Sequence, residues 1–211
     1  MILLTFFDLF YYNLLETTWL EIVAVIFGLL SVWYARKANI LVYPTGIISV
    51  LIYVYICFNA MLYADMGINF FYFVTSVYGW YNWLRKKNDE KVVHITWNSK
   101  KEQWAGIAFT VISYFVIFGL IWIFKKDDTA YINSYIPYID SFTTSVFLVG
   151  MILMARKKVE NWIYWIIGDI VSVPLYFSKG LVFTSFQYFV FLILAVLGYI
   201  EWKKLHLEGE V

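Results

Sequence analysis

A chain of 211 residues that is 62% hydrophobic, 22% aromatic and 15% charged has too little polar surface to cover a water-soluble globule, in which about a quarter of residues are charged. Its net charge of +1 hides a pattern in which charges are expelled into a few short clusters between nearly uncharged stretches. That excludes a soluble enzyme, offers no broad basic surface to nucleic acid, and indicates an all-α integral membrane protein.

Residues 1–18, MILLTFFDLFYYNLLETT, lack a basic start and contain Asp8 and Glu16, so they read as an aromatic interfacial helix rather than a signal peptide. Seven apolar stretches follow, each long enough to cross a bilayer: 19–35, 40–58, 66–84, 104–124, 138–155, 162–178 and 182–202. The fifth is the weakest, with Pro137 and Asp140 at its start. The expected organisation is an interfacial segment 1–18, a three-helix repeat 19–84, a loop 85–103, a linker helix 104–124, a second three-helix repeat 138–202 and a tail 203–211. Alternating the connections puts 13 basic residues on one side, in clusters at Arg36, Arg85, Lys100, Arg156 and Lys203. Three fall on the other side, Lys125, Lys126 and Lys179. Basic loops stay in the cytoplasm. The amino terminus is therefore expected outside a plasma (inner) membrane crossed seven times, and the carboxyl terminus in the cytoplasm.

Sliding the chain on itself by 122 residues aligns Gly28 with Gly150, Asn39 with Asn161, Tyr43 with Trp165 and Gly46 with Gly168. Each copy carries Ala-Arg-Lys at its basic end, from Ala35 and from Ala155. Further on the offset drops to 119, aligning Gly79 with Gly198 and Trp83 with Trp202. With one span between them, the copies run as parallel repeats (3+1+3). Transporters built on that plan bind substrate near the midplane between the halves.

Polar residues inside spans mark the candidate site. In ENWIYWIIGDIVSVPLYFSKG, residues 160–180, Asn161, Trp165, Gly168, Asp169, Ser172 and Tyr176 fall on one helical stripe. A buried unpaired charge costs several kcal/mol, so this stripe faces the bundle interior or a wet cavity. Two readings stay open. Either the stripe meets a ligand, or Asp169 hydrogen-bonds neighbouring helices while Trp162 and Trp165 form an interfacial belt. In the third span Asn69, Tyr72, Ser76 and Trp80 share a face, and at offset 119 Asn69 matches Tyr188 and Ser76 matches Ala195. The halves thus present different groups to a shared axis. Trp202 reads as a belt residue, Gly79 and Gly198 as close-packing positions, and Gly46 beside Pro44, like Pro174, as a kink.

Cys57 has no partner cysteine, and His94 and His206 lie in connecting segments, so neither a metal nor any other cofactor is expected. Asp65 sits at the outer end of its span, not at the depth of Asp169. With no nucleotide-binding loop and no nucleophile with a base, the residues point away from an enzyme. A membrane-embedded enzyme or a non-transporting scaffold is the rival from another class.

The segments LYADMGINFFYFVTSVYGWYNW (62–83), ENWIYWIIGDIVSVPLY (160–176) and YPTGIISVLIY (43–53) resemble the nicotinamide riboside transporter family, PnuC, over residues 19–204. The resemblance implies three helices, a linker helix and three helices, a layout similar to full-length SWEET transporters, assembled as a homotrimer. It implies facilitated diffusion of the vitamin for NAD synthesis, with trapping by a cytoplasmic kinase. Asn161, Trp162, Trp165 and Asp169 occupy the family's substrate motif, with Asn69 and Tyr72 opposite; Tyr43, Ser76 and Tyr188 complete the expected site. Asn69 stands where many members have Gln, and Leu41 and Tyr43 where Trp is frequent. Relatives carry thiamine or riboflavin, so these departures bear on which vitamin is carried. A pyridinium is a flat cation suited to indole faces, and ribosyl hydroxyls suit a carboxylate and an amide. Whether Asp169 is ionised or neutral stays open.

Overall fold

The computed structural model describes residues 2–87, 90–91 and 93–209. The helices are α1 (Ile2–Glu16), α2 (Trp19–Arg36), α3 (Val42–Asn59), α4 (Tyr63–Leu84), α5 (Lys100–Lys125), α6 (Thr129–Ile132), α7 (Ile136–Ala155), α8 (Asn161–Ser178) and α9 (Val182–Leu207). A two-residue hairpin, β1 (Lys86–Lys87) with β2 (Glu90–Lys91), follows α4. Two helices start at capping boxes written in the sequence. Thr18 and Glu21 cap α2, and Ser99 and Glu102 cap α5, each pair exchanging side-chain and backbone bonds. Such a box satisfies two of the amide groups that a helix start leaves without partners.

Among the described residues, α2, α3, α5, α7 and α9 are long and apolar enough to span a membrane. The other two expected spans, α4 and α8, are 22 and 18 residues long, about 33 and 27 Å at 1.5 Å per residue. They carry the polar stripes, including Asp65, Asn69, Asn161 and Asp169, which lowers their apolar character. Helix α1 packs on α9, where Asn13 Oδ1 accepts the amide of Val182 at 2.7 Å and so caps the neighbouring helix.

Helices α2, α3 and α4 pack in sequence, as do α7, α8 and α9, and the two groups meet where α2 touches α9 and α4 touches α7. Helix α5 lies against α7. The turns joining these helices are built alike at a separation of 119 residues. Asn39 N–H donates to Tyr34 O as Lys158 N–H does to Leu153 O, and Ala38 and Lys157 both take left-handed backbone (φ 49° and 53°). At the opposite end, Leu62 N–H donates to Cys57 O as Leu181 N–H does to Tyr176 O, after Met61 and Gly180 with φ of 57° and 75°. The 119 separation therefore holds along the whole length. It pairs Tyr43 with Trp162, where the sequence offset of 122 paired it with Trp165.

That correspondence explains how the end bearing Arg36, Arg85 and Arg156 is closed. The Tyr43 ring occupies the space a side chain at Gly79 would take, and the Trp162 ring does the same at Gly198. Tyr43 meets Trp83 edge-on (5.1 Å, 87°), and Trp162 meets Trp202 edge-on (5.6 Å, 87°). Across the middle, Trp83 and Trp202 approach to 5.9 Å. Each indole then ties its own group to the other. Trp83 Nε1 donates to Met154 O at the end of α7 (3.2 Å), and Trp202 Nε1 to Ala35 O at the end of α2 (2.9 Å). Trp202 is 0% exposed. It is not the belt residue its terminal position suggested, because its N–H is committed inside the protein.

Candidate functional site

Above this aromatic plug lies a cavity of about 740 Å³, walled by α2, α3, α4, α7, α8 and α9 and reaching the end away from the basic clusters. Eight of the nine expected site residues line it: Tyr43, Asn69, Tyr72 and Ser76 from one group, Trp162, Trp165, Asp169 and Tyr188 from the other. Asn161 does not. It is 0% exposed at the first turn of α8, where its Nδ2 donates to Lys158 O at 2.6 Å and holds the turn between α7 and α8. Ser172, on the same stripe, is also buried outside the lining.

Asp169 is 2% exposed in mid-helix, and among the described residues no hydrogen-bond donor or cation pairs with its carboxyl group. The interior of the bundle does not satisfy it; the cavity is what it faces. Tyr43 Oη and Trp162 Nε1, the equivalent residues at the deep end, are buried without hydrogen-bond partners. Buried polar groups are paired in most folded proteins; these three line one cavity, while Ser172 Oγ and Asn161 Oδ1, buried outside the lining, also lack a partner.

The walls differ in kind. On the α7–α9 side four rings form a ladder: Trp165 on Phe147 (5.3 Å, 27°), Phe147 on Tyr188 (6.0 Å, 14°), and Tyr188 on Tyr176 (4.9 Å, 7°). On the α2–α3 side, the positions 119 residues before Phe147 and Trp165 are Gly28 and Gly46. Their neighbours Ser49 and Ser31 turn their hydroxyls to backbone oxygens, Ser49 to Ala24 O and Ser31 to Val42 O, both at 2.8 Å. The ring ladder thus has no counterpart at the equivalent positions, although Tyr43 and Tyr53 of α3 also line the cavity. Phe147 was missed from sequence because it sits in the apolar run SVFLVG, which carries no polar marker. Tyr176 was visible on the α8 stripe but was not expected at the site.

At the mouth, Lys179 Nζ lies 2.9 Å from Asp140 Oδ1, and Tyr131 Oη donates to Asp140 Oδ2 at 2.7 Å. Burial, and next its bond to that carboxylate, hold the Tyr131 phenol well above its ordinary pKa, so it stays a donor. Lys125 stands over the Tyr131 ring at 4.9 Å. Asp65 lines the same mouth.

Residues 18–204 match the family described as nicotinamide mononucleotide transporter. The chain is 29% identical over 209 residues to the nicotinamide riboside transporter PnuC of Escherichia coli (strain K12), covering 89% of this chain and 86% of that one. It is 27% identical over 190 residues to the riboflavin/roseoflavin transporter RibM of Streptomyces davaonensis, covering 87% and 84%. A crystal structure of a vitamin B3 transporter, PnuC, superposes with a TM-score of 0.66 at 24% identity, covering 95% of this chain and 89% of that one, which shows a shared fold.

Proposed function

The chain belongs to the nicotinamide mononucleotide transporter family, and from that premise we propose that it is a seven-span facilitator for nicotinamide riboside. It is a multi-pass membrane protein of a carrier family, not an enzyme. The observation that carries the substrate reading is the pairing of an unpartnered Asp169 with the Trp165 face in one cavity. A riboside needs both, a flat surface for its ring and acceptors for its hydroxyls. Asn69, Tyr72 and Ser76 supply the opposing polar wall, Tyr188 the neighbouring ring, and Tyr43 and Trp162 the donors at the deep end. Asn161 acts from outside the cavity by fixing the first turn of α8.

The matched turns support two parallel three-helix repeats around α5, and the basic clusters support a cytoplasmic carboxyl terminus. Substrate then moves down its gradient and is retained by a cytoplasmic kinase, and the assembly is a homotrimer. The alternative cargo is riboflavin or thiamine. The riboflavin reading is favoured by the near-equal identity to the Streptomyces davaonensis carrier.

Titration of the purified protein with nicotinamide riboside, thiamine and riboflavin tests the cargo. Nicotinamide riboside is expected to bind tightest, and tighter binding of either other vitamin would replace it. For topology, a reporter at the carboxyl terminus or after Lys86 is expected in the cytoplasm, and one after Asp127 outside. A cytoplasmic signal after Asp127 would overturn the orientation.

A further inference from the structure

The ring ladder on the α7–α9 wall is more than the single indole face that the stripe on α8 supplies. Its four members come from three helices, yet adjacent rings lie within 30° of parallel and all four line the cavity. Aromatic pairs that merely fill a core meet edge-on as readily as stacked, as the plug at the basic end does. The ladder also ascends. Trp165 is one turn into α8 from the basic end, Phe147 is in mid-α7, and Tyr176 is in the last turn of α8, close to the mouth residue Lys179, which stands over its ring at 5.1 Å. The positions equivalent to Phe147 and Trp165 in the other group are Gly28 and Gly46, so the ladder has no counterpart there, and among its neighbours Phe191 meets Tyr188 edge-on at 6.1 Å.

Phe147 is central to this arrangement, and the backbone is shaped to admit it. A side chain at Gly168 would run into the Phe147 ring, so glycine there lets the ring lie flat between Trp165 and Tyr188. In the other group the position equivalent to Gly168 is Ser49, opposite Gly28, and no ladder forms.

We propose that the Trp165–Phe147–Tyr188–Tyr176 ladder is the track along which the substrate's flat heteroaromatic ring passes between the mouth and Asp169. In it Phe147 is a direct stacking contact, and Gly168 is the positioning residue that sets Phe147 in plane. This rests on the reading of the protein as a carrier of a ring-bearing vitamin, but not on which vitamin that is. A ring moving past successive parallel faces exchanges one stacking contact for the next, and no deep well holds it back. Asp169, beside the ladder, takes the polar part of the substrate.

The experiment measures binding and proteoliposome uptake of nicotinamide riboside, thiamine and riboflavin, with the melting temperature of each variant recorded alongside. The wild type is measured first. If it binds thiamine or riboflavin in place of nicotinamide riboside, the cargo reading fails and the ladder is tested with that vitamin. If it binds none of the three, both fail. Phe147→Leu keeps apolar bulk and removes the ring face, so affinity should fall about 2- to 10-fold and uptake with it. Phe147→Tyr should regain most of the loss. Gly168→Ala should weaken binding as Phe147→Leu does, whereas Gly168→Ala added to Phe147→Ala should cost no further affinity, because the ring it displaces is already gone. The proposal is overturned if Phe147→Leu binds as wild type while melting lower. It is equally overturned if the Gly168 and Phe147 losses simply add.

Discussion

Replacing Trp202 with Phe separates what its ring does from what its N–H does. The indole is fully buried, donates to Ala35 O at 2.9 Å, and packs edge-on against Trp162. Phe keeps a ring face but loses the donor, and a lost hydrogen bond of this kind costs about 1 kcal/mol. Ala35 O is not left bare, because Ala38 N–H also reaches it at 2.9 Å, which keeps the cost from rising to a full desolvation penalty. The smaller ring leaves a void worth roughly another 1 kcal/mol. About 2 kcal/mol in a chain of this size corresponds to a fall in melting temperature of ~4–8 °C. Trp202→Ala, at about 3–5 kcal/mol, should approach loss of assembly. Melting is followed in detergent on purified protein, with Trp104→Phe as control, since Trp104 is 71% exposed. Equal melting temperatures for Trp202→Phe and Trp104→Phe would refute the argument that this indole latches α9 to α2.

At the site, Trp165→Ala should weaken vitamin binding about 2- to 30-fold, the equivalent of roughly 0.5–2 kcal/mol for a flat cation on an indole, and Trp165→Phe should recover part of it in the same titration. Asp169→Asn preserves shape and tests for a charge; a loss of about tenfold or more is expected if the carboxylate is ionised and meets the ligand, as for a hydrogen bond to a charged group, and unchanged affinity would make the carboxyl neutral or structural. Glu102, at the start of α5, accepts the Ser99 amide at 2.8 Å and pairs with Arg156 and Lys158 at 3.0 and 3.1 Å. The Ser99 amide first, and then Lys158, hold its carboxyl at about 2, against an ordinary 4.5. Because the folded value is the lower one, its stabilisation is complete above about pH 4.5 and is lost as pH falls toward 2. For a side chain 25% exposed at the surface this is under about 1 kcal/mol, and Glu102→Gln should flatten that part of a melting-temperature profile.

Helix positions and the polar stripe were legible in the sequence because they rest on local signals. Apolar runs set the span lengths, Thr18 and Ser99 announce their helix starts, and Asp169 is conspicuous within an apolar run. What was not legible depends on packing between helices. The repeat read from matching residues gave an offset of 122 over the first helices, because Gly28 and Gly150 look alike in sequence, and 119 only from Gly79 onward, whereas the backbone turns correspond at 119 at both ends. Equivalent positions hold unlike residues where the cavity is built: Gly28 opposite Ser49 in one half, Phe147 opposite Gly168 in the other. A comparison that seeks identities passes over such exchanges. Trp202 was misjudged for a related reason, since its position in the chain resembles that of a belt residue and only the partner carbonyl of Ala35 reveals its role.

The two kinds of position divide the labour of the molecule. Where the halves agree, they form the closure at the basic end: Tyr43 with Trp162, Gly79 with Gly198, Trp83 with Trp202, each indole bonded to the opposite group. The agreement is incomplete at one point. Asn82 Nδ2 adds a bond to Ala155 O at 3.0 Å beside Trp83, while Glu201, the equivalent of Asn82, makes no such bond to the end of α2 among the described residues. The α4–α7 seam is thus held more firmly than the α2–α9 seam, which makes the latter the weaker edge of the plug. Where the halves disagree, they form the cavity walls, and under the proposed function this suits a riboside, which has a flat ring at one end and hydroxyls at the other. Two identical halves would offer it two identical walls. Glycine at 28 and 46 in place of Phe147 and Trp165 leaves the ring ladder on one side of the cavity alone.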